Sequence, residues 1–478
     1  MRPSVVMICQ LPCGGSTSVP AQEGSMPATR IPGPPGLPLI GSMFDLTRDP
    51  LRTCLDAQRE YGDVVRFTAG PPGLRAEFYM VFSPEGVQQV LAGQAANFRK
   101  ESALYEEVRI SLGNGLLTAQ DGDYQRQRRL IQPLFVRKRV DGYAGAISIE
   151  AEALVERWSA VPGGEVDAVA EMSRFALRAV ARILFGTDVE AAIGVVRSSF
   201  PVLGEYIMDR GFAPVRIPRQ WPTPGNRKAL AAQTELYRVC DEIIAKRRAE
   251  GADDEAEDLL GLLAAARGEE GEQLDAAELR DQVLVFLLAG HETTATSLTF
   301  ALHLLALHPE QQKRAREEVD GVLSGDRRPV AADLEALPYL TQVLKEAMRL
   351  YPAAGLIGRR SVADCEIDGQ HIPAGVDVIV SPWVTHRHPD HWEDPAAFDP
   401  ERFTPEREAA RHRYAWYPFG GGPRACIGQH FSMLESVLSL ATLLRAFEVE
   451  AIDTEVAVGQ TITLQAKGTV RIRLTTRQ

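Results

Sequence analysis

The chain has 478 residues and a formal net charge of −12, a balance that argues against general binding to nucleic acid or to anionic membrane. Its six cysteines, at positions 9, 13, 54, 240, 365 and 426, are scattered without framework spacing, which reads as a reduced, cytoplasmic protein. The longest apolar block, Val283 to Gly290, is short and closed by His291 and Glu292, and the N-terminal run Val5–Cys9 is broken by Pro12. Neither a transmembrane anchor nor a signal peptide is therefore expected.

Residues 1–30 are rich in Ser, Pro, Gly and Ala without any period and are expected to be disordered, with Met26 as an alternative start. Ile31-Pro-Gly-Pro-Pro-Gly-Leu-Pro-Leu-Ile-Gly41 is a stiff polyproline-like strap that opens a single domain over 31–478. Residues 63–68 and 77–82 predict paired strands around Gly-Pro-Pro-Gly. Residues 100–118 read as a weakly patterned loop, and Asp121 opens a basic helix running through Arg126, Arg128 and Arg129. Helices dominate from there to about residue 350, with a helical hairpin over 197–250 broken at Pro218–Pro224 and an acidic surface linker over 251–258. Short strands follow around 376–380, 461–464 and 470–474. The fold class is mainly α with a small β region, an α+β chain without internal repeats.

The pattern from Leu274 to Pro309 is the longest helix, and Val283–Leu288 is apolar on every side, which marks it as buried. Into it are set Ala289, Gly290, His291, Glu292, Thr293 and Thr294. A carboxylate and hydroxyls inside a buried helix are costly without partners or a task. Gly290 removes side-chain volume, and a threonine that bonds back to the preceding turn bends a helix, so a notch for a small ligand is expected.

Near the C-terminus, Phe419-Gly-Gly-Gly-Pro-Arg-Ala-Cys-Ile-Gly428 places one cysteine in a glycine-rich turn before an apolar helix. Glycines let the backbone bend and approach a large planar ligand closely. The first-turn amides and dipole of a helix favour a thiolate, which is what a soft metal ligand requires. None of the nine histidines has a spacing that competes with Cys426.

This stretch resembles the haem-ligand loop of the cytochrome P450 monooxygenases, Phe-x-x-Gly-x-Arg-x-Cys-x-Gly, with Phe419, Gly422, Arg424, Cys426 and Gly428 at the fixed positions. The resemblance extends over about 31–478 through five motifs in order. It implies haem b between a long distal helix and the proximal cysteine loop, with Cys426 on the iron. Ala289, Gly290, Glu292 and Thr293 resemble the family's oxygen-binding groove, Glu292 and Thr293 forming an acid–alcohol pair that delivers protons for O–O cleavage. Tyr124 and Arg128 resemble the family's Trp-x-x-x-Arg, which holds a haem propionate; a phenol can donate the same hydrogen bond. Lys100, Arg359 and Arg424 add cations suited to the propionates. Arg126 and Arg129 read as a solvated basic face, with docking of an acidic electron donor as a second reading. Glu346, Arg349 and Arg402 are implied to be a structural clamp on the cysteine loop. Ala353, Ala354, Leu356 and Ile357 are implied to face the substrate, with 100–118 a further lining segment and 197–250 a lid.

The reaction implied is hydroxylation or epoxidation of a lipophilic molecule (terpenoid, fatty acid, steroid or other secondary metabolite) by a soluble bacterial monomer using dioxygen. No nucleotide-binding fingerprint is visible, so NAD(P)H electrons are expected to arrive through a ferredoxin or flavodoxin and its reductase. Two other classes are a haem-thiolate peroxygenase or isomerase, which Glu292–Thr293 argues against, and a non-enzymatic haem-binding protein, which the intact groove disfavours.

Overall fold

Asp275 starts the distal helix, Ala276–Leu307, with a complete capping box: its side chain accepts from the Glu278 amide while Glu278 reaches back to the Asp275 amide. At 32 residues the helix is about 48 Å long. It is long and apolar enough to cross a membrane, contrary to the impression left by its interrupted sequence, yet most of it is buried inside the protein. Helices Ala168–Phe185, Pro338–Leu350 and Gln429–Ala446 pack along it and bury its apolar faces in two large cores.

The computed structural model describes residues 30–70, 76–186, 190–211, 216–249, 258–268 and 271–477. The leader expected to be disordered, apart from Arg30, lies outside the described residues, as do most of the Gly-Pro-Pro-Gly turn and of the acidic linker. Ile31–Gln478 forms one compact unit.

The main sheet orders its strands Val64–Ala69, Ala76–Val81, Asp377–Val380, Ile357–Ser361 and Phe98–Arg99. The first two are the antiparallel pair expected from sequence. At the far edge Phe98 pairs with Ser361 and Arg99 with Arg360, a register that carries Lys100 toward Arg359. Two cations 259 positions apart are thus brought to one end of one sheet.

Three elements differ from expectation. Residues 103–112 are helical: Ser102 caps the helix by accepting from the Tyr105 amide, and Gly113 ends it at φ 90°. Its mixed charge hid the apolar pair Val108 and Leu112, four residues apart on the buried face. Residues 461–463 form a turn, not a strand. The strands are Val458–Gln460 and Leu464–Ala466, and the Thr461 amide and hydroxyl both donate to Thr463 O, at 2.9 and 3.0 Å. β-branched residues favour strands only where a pleated neighbour is available, and the chain reverses here instead. The last strand is Arg471–Thr476, shifted slightly from its expected span.

Helices Glu190–Gly211 and Pro224–Ala249 form the expected hairpin. Arg210, Arg216 and Arg219 of this hairpin converge on Glu107 of helix Ala103–Leu112, with Arg210 Nε 2.8 Å from Glu107 Oε2. Burial alone would raise the Glu107 carboxyl; the bonds from Arg210 and Arg219 outweigh it and hold the group below its usual range.

Candidate active site

The cysteine loop is built by close approach. Gly422 has φ +63°, and a Cβ there would lie 1.9 Å from Leu91 O, so only glycine fits. Its neighbours Pro423 and Arg424 complete a 3-10 turn, after which the Cys426 amide donates to Phe419 O at 2.9 Å and closes the loop. Phe419 is wedged edge-on against Trp416. Cys426 is the exposed one of the four described cysteines, although protein surrounds it, so it keeps accessible surface among neighbouring groups. Burial pushes the thiol pKa up, and the Gly428 amide, Lys100 and Arg128 pull it back. The expected thiolate bias from the helix N-terminus is thus outweighed by desolvation; a bound metal cation deprotonates such a thiol outright.

Lys100 and Arg359 are buried, and Arg424 is half-buried. Burial, followed by repulsion from Arg359 and Arg424, holds the Lys100 pKa well below the usual lysine range, against a smaller pull from Cys426. Burial and Arg359 likewise lower Arg424, to about 10, against a pull from Tyr124. Lys100 Nζ donates to Leu117 O at 3.0 Å, Arg359 to Gly358 O at 2.8 Å, and Arg424 to Ala119 O at 2.7 Å and Gln120 Oε1 at 3.0 Å. Neutral acceptors leave this cluster's positive charge uncompensated. A doubly anionic edge such as that of haem fits it, and the accessible sulfur fits the iron.

Tyr124 is bonded to the cysteine loop. Its hydroxyl hydrogen goes to Pro423 O at 2.7 Å, and the oxygen accepts from Arg128 Nη1 at 2.6 Å. Arg128 also reaches Pro423 O and Ala425 O, while the Arg424 guanidinium lies 3.4 Å over the Tyr124 ring. The pair braces the cysteine loop through Pro423 O and Ala425 O. Arg126, expected to be solvated, pairs with Glu278 at the start of the distal helix; Arg129 is exposed.

On the distal helix, exposure returns in mid-helix. Ala289 is exposed and Gly290, Glu292 and Thr293 are half-exposed, between Leu288 and Thr294, which are buried. The Thr293 hydroxyl donates to Ala289 O at 2.6 Å, the back-bond expected from sequence. Gly290 also has a packing use. A Cβ there would come 2.9 Å from Val180 Cγ2, so its small size admits the neighbouring helix Ala168–Phe185. Burial raises the Glu292 pKa, opposed by a hydrogen bond from Thr463, whose hydroxyl donates to Oε2 at 2.9 Å. His291 points away, to Ser173 Oγ at 2.9 Å, and burial lowers its pKa to about 4.

Glu346 and Arg349 are fully buried and joined by two bonds of 2.6 and 2.8 Å. Arg349 donates further to the carbonyls of His386, Pro395 and Ala397, and Arg402 Nε adds a charge contact to Glu346 Oε1 at 3.4 Å. His386 Nε2 in turn accepts from the Tyr417 amide at 2.9 Å, which ties the clamp to the chain entering the cysteine loop. Ala353, Ala354, Leu356 and Ile357 are all half-exposed. Leu356 and Ile357 rest on separate core clusters, and Ala353 O accepts from the Leu464 amide at 2.8 Å. Sequence reasoning missed Thr463 and the buried Glu435, because each meets the distal helix from a place remote in the chain and no local pattern marks either.

The sequence profile of the family "Cytochrome P450" matches residues 31–467. Cyclooctat-9-en-7-ol 5-monooxygenase of Streptomyces melanosporofaciens is 37% identical over 87% of this chain and 89% of its own. Pentalenene oxygenase of Streptomyces avermitilis is 34% identical over 93% and 97%. The crystal structure of the cytochrome P450DA heme domain superposes with a TM-score of 0.84 at 28% identity, covering 94% of this chain and 98% of that one. With its fold, its sequence and a thiol set before buried cations all in agreement, the chain belongs to the cytochrome P450 family and is a monooxygenase.

Proposed function

We propose that residues 31–478 are a haem-thiolate monooxygenase domain that hydroxylates or epoxidises a terpenoid. The observation that carries this reading is one accessible thiol beside three uncompensated cations. Cys426 would hold the iron of haem b, and Lys100, Arg359 and Arg424 its propionates. Bound there, a thiolate-ligated haem supplies activation of dioxygen, one atom entering the substrate and the other leaving as water.

The chain's own residues do the rest. Ala289 presents a small side chain to the cavity, and Thr293, anchored on Ala289 O, keeps its hydroxyl oxygen in place as an acceptor. Glu292, easier to protonate than an exposed carboxylate, carries protons between the interior and the cavity. Ala353, Ala354, Leu356 and Ile357 offer an apolar wall that excludes water and orients a lipophilic substrate. The terpenoid assignment draws on the two Streptomyces relatives named above for oxygenation of cyclooctat-9-en-7-ol and pentalenene. Electrons come from NAD(P)H through a ferredoxin or flavodoxin and its reductase, and the enzyme works as a cytoplasmic monomer.

The test is the spectrum of dithionite-reduced protein under carbon monoxide, for the unmutated chain and Cys426→Ser. The red-shifted Soret band of thiolate ligation, lost in the variant, is the expected result. Incubation with cyclooctat-9-en-7-ol or pentalenene, NADPH, ferredoxin and reductase should then give products one oxygen heavier. A band typical of histidine or neutral thiol ligation in folded, unmutated protein would overturn the proposal.

A further inference from the structure

The turn at Thr461–Thr463 is fastened to the distal helix twice, one helical turn apart. Thr463 Oγ1 donates to Glu292 Oε2 at 2.9 Å, and Thr296 Oγ1 donates back to Leu464 O at 3.0 Å. The Leu464 amide is meanwhile bonded to Ala353 O at 2.8 Å, in the apolar wall. Thr463 is buried, and its hydroxyl accepts from Gln465 Nε2 at 3.4 Å, so its single hydrogen is directed at Glu292. Both sides of the hydroxyl are thus engaged, in a turn whose backbone is closed by Thr461.

We infer that Thr463 is the positioning residue of Glu292: its hydroxyl pins Oε2 to the hairpin and leaves Oε1 as the oxygen that takes up and releases the proton. This rests on the role proposed for Glu292 above. A glutamate has three side-chain torsions and, half-exposed on a helix, would otherwise sample several rotamers. Holding one oxygen converts it into a group with one working atom at a fixed place, which a proton carrier requires. The same bond favours the ionised form and opposes the upward push of burial. Burial and Thr463 are the two causes of the Glu292 shift; its titratable neighbour His291 turns to Ser173 on the opposite helix. Because Leu464 bridges the hairpin to Ala353, a substrate pressing on the wall also bears on the residue that orients the acid.

The experiment uses the holoenzyme without substrate and follows the infrared stretch of carbon monoxide on the reduced protein against pH. The stretch senses polar groups lining the cavity and does not depend on turnover. The unmutated protein should show a titration that Glu292→Gln abolishes. Thr463→Val, which keeps the shape and removes the hydroxyl, should move the midpoint up by about one pH unit, the worth of a hydrogen bond to a charged group. Thr463→Ser should restore it. An intact thiolate Soret band in each variant serves as the folding control. If Glu292→Gln leaves the titration in place, the proposed role of Glu292 fails. If Glu292→Gln removes it but Thr463→Val leaves the midpoint unchanged, or Thr463→Ser shifts it as far as valine does, Thr463 is not the positioning residue.

Discussion

Single residues decide how the cysteine loop is held. Gly422→Ala would force a Cβ into Leu91 O at a backbone angle that L-residues avoid, so a stability loss of about 2–4 kcal/mol is expected. Chemical denaturation of the holoprotein measures it, and Gly420→Ala, at φ +69° with open space around its Cβ, serves as the strain-only control. Glu435 gives a second prediction. It is fully buried on helix Gln429–Ala446, its Oε2 accepts from Thr294 Oγ1 at 3.2 Å, and its Oε1 has no partner. Burial raises its pKa from 4.5 to about 8. The folded state therefore binds the proton more tightly than the unfolded chain. The stability this contributes is full below pH 4.5 and is lost as pH rises to about 8. Glu435→Gln should flatten the fall of Tm across that window; an unchanged slope would refute the assignment. The loop was legible because its fixed positions lie within ten residues. The contacts of Tyr124 with Pro423 and of Gly290 with Val180 could not be read from the sequence. Spacing tells which residues share a helix face but leaves open which neighbour meets that face.

Secondary-structure elements meet at charged junctions that no local pattern announces. Helix Ala103–Leu112 is latched to the hairpin Glu190–Gly211 and Pro224–Ala249 by three arginines on one buried carboxylate, and Gln233 adds bonds to Ile110 O and Ser111 O. Glu107→Gln would leave those guanidiniums facing one another. Faster hydrogen exchange is expected across Glu190–Gly211 and 216–223, with exchange in the distal helix unchanged. The clamp behaves differently because it is sealed. Glu346→Gln strands Arg349 in the core, and a loss of about 3–5 kcal/mol with weakened haem retention is expected in thermal melts followed at the Soret band. The clamp was legible because Glu346 and Arg349 are one turn apart and Arg402 follows in a recognisable run. The latch was not, since Glu107 and its arginines are about a hundred residues apart.

At the scale of the whole molecule, Lys100, Arg359 and Arg424 are crowded together at the end of the sheet, an electrostatic conflict. A ligand that binds only the folded state and neutralises these charges stabilises the fold by linkage. Lys100→Met should thus have opposite effects in two forms of the protein. Haem-free protein should melt at a higher temperature than the unmutated chain, and the loaded protein should lose haem faster to an acceptor. A variant that destabilises both forms equally would mean that Lys100 serves packing alone. The helical class, the first strand pair and the long buried helix could be read from period and composition. The strand order could not, since the main sheet takes strands from residues 64–99 and 357–380 and only the folded register brings Lys100 beside Arg359.

The stitch between Glu292, Thr463, Leu464 and Ala353 also bears on inheritance. Those residues, the clamp and Cys426 all fall between 276 and 466, whereas the latched helices all end by residue 249. Apart from Lys100 and the Tyr124–Arg128 brace, the proposed iron ligand, acid and apolar wall thus lie in one half of the chain and the latched helices in the other. A crossover in the stretch just before the distal helix would exchange the latched helices while keeping the iron ligand, the acid and the apolar wall together.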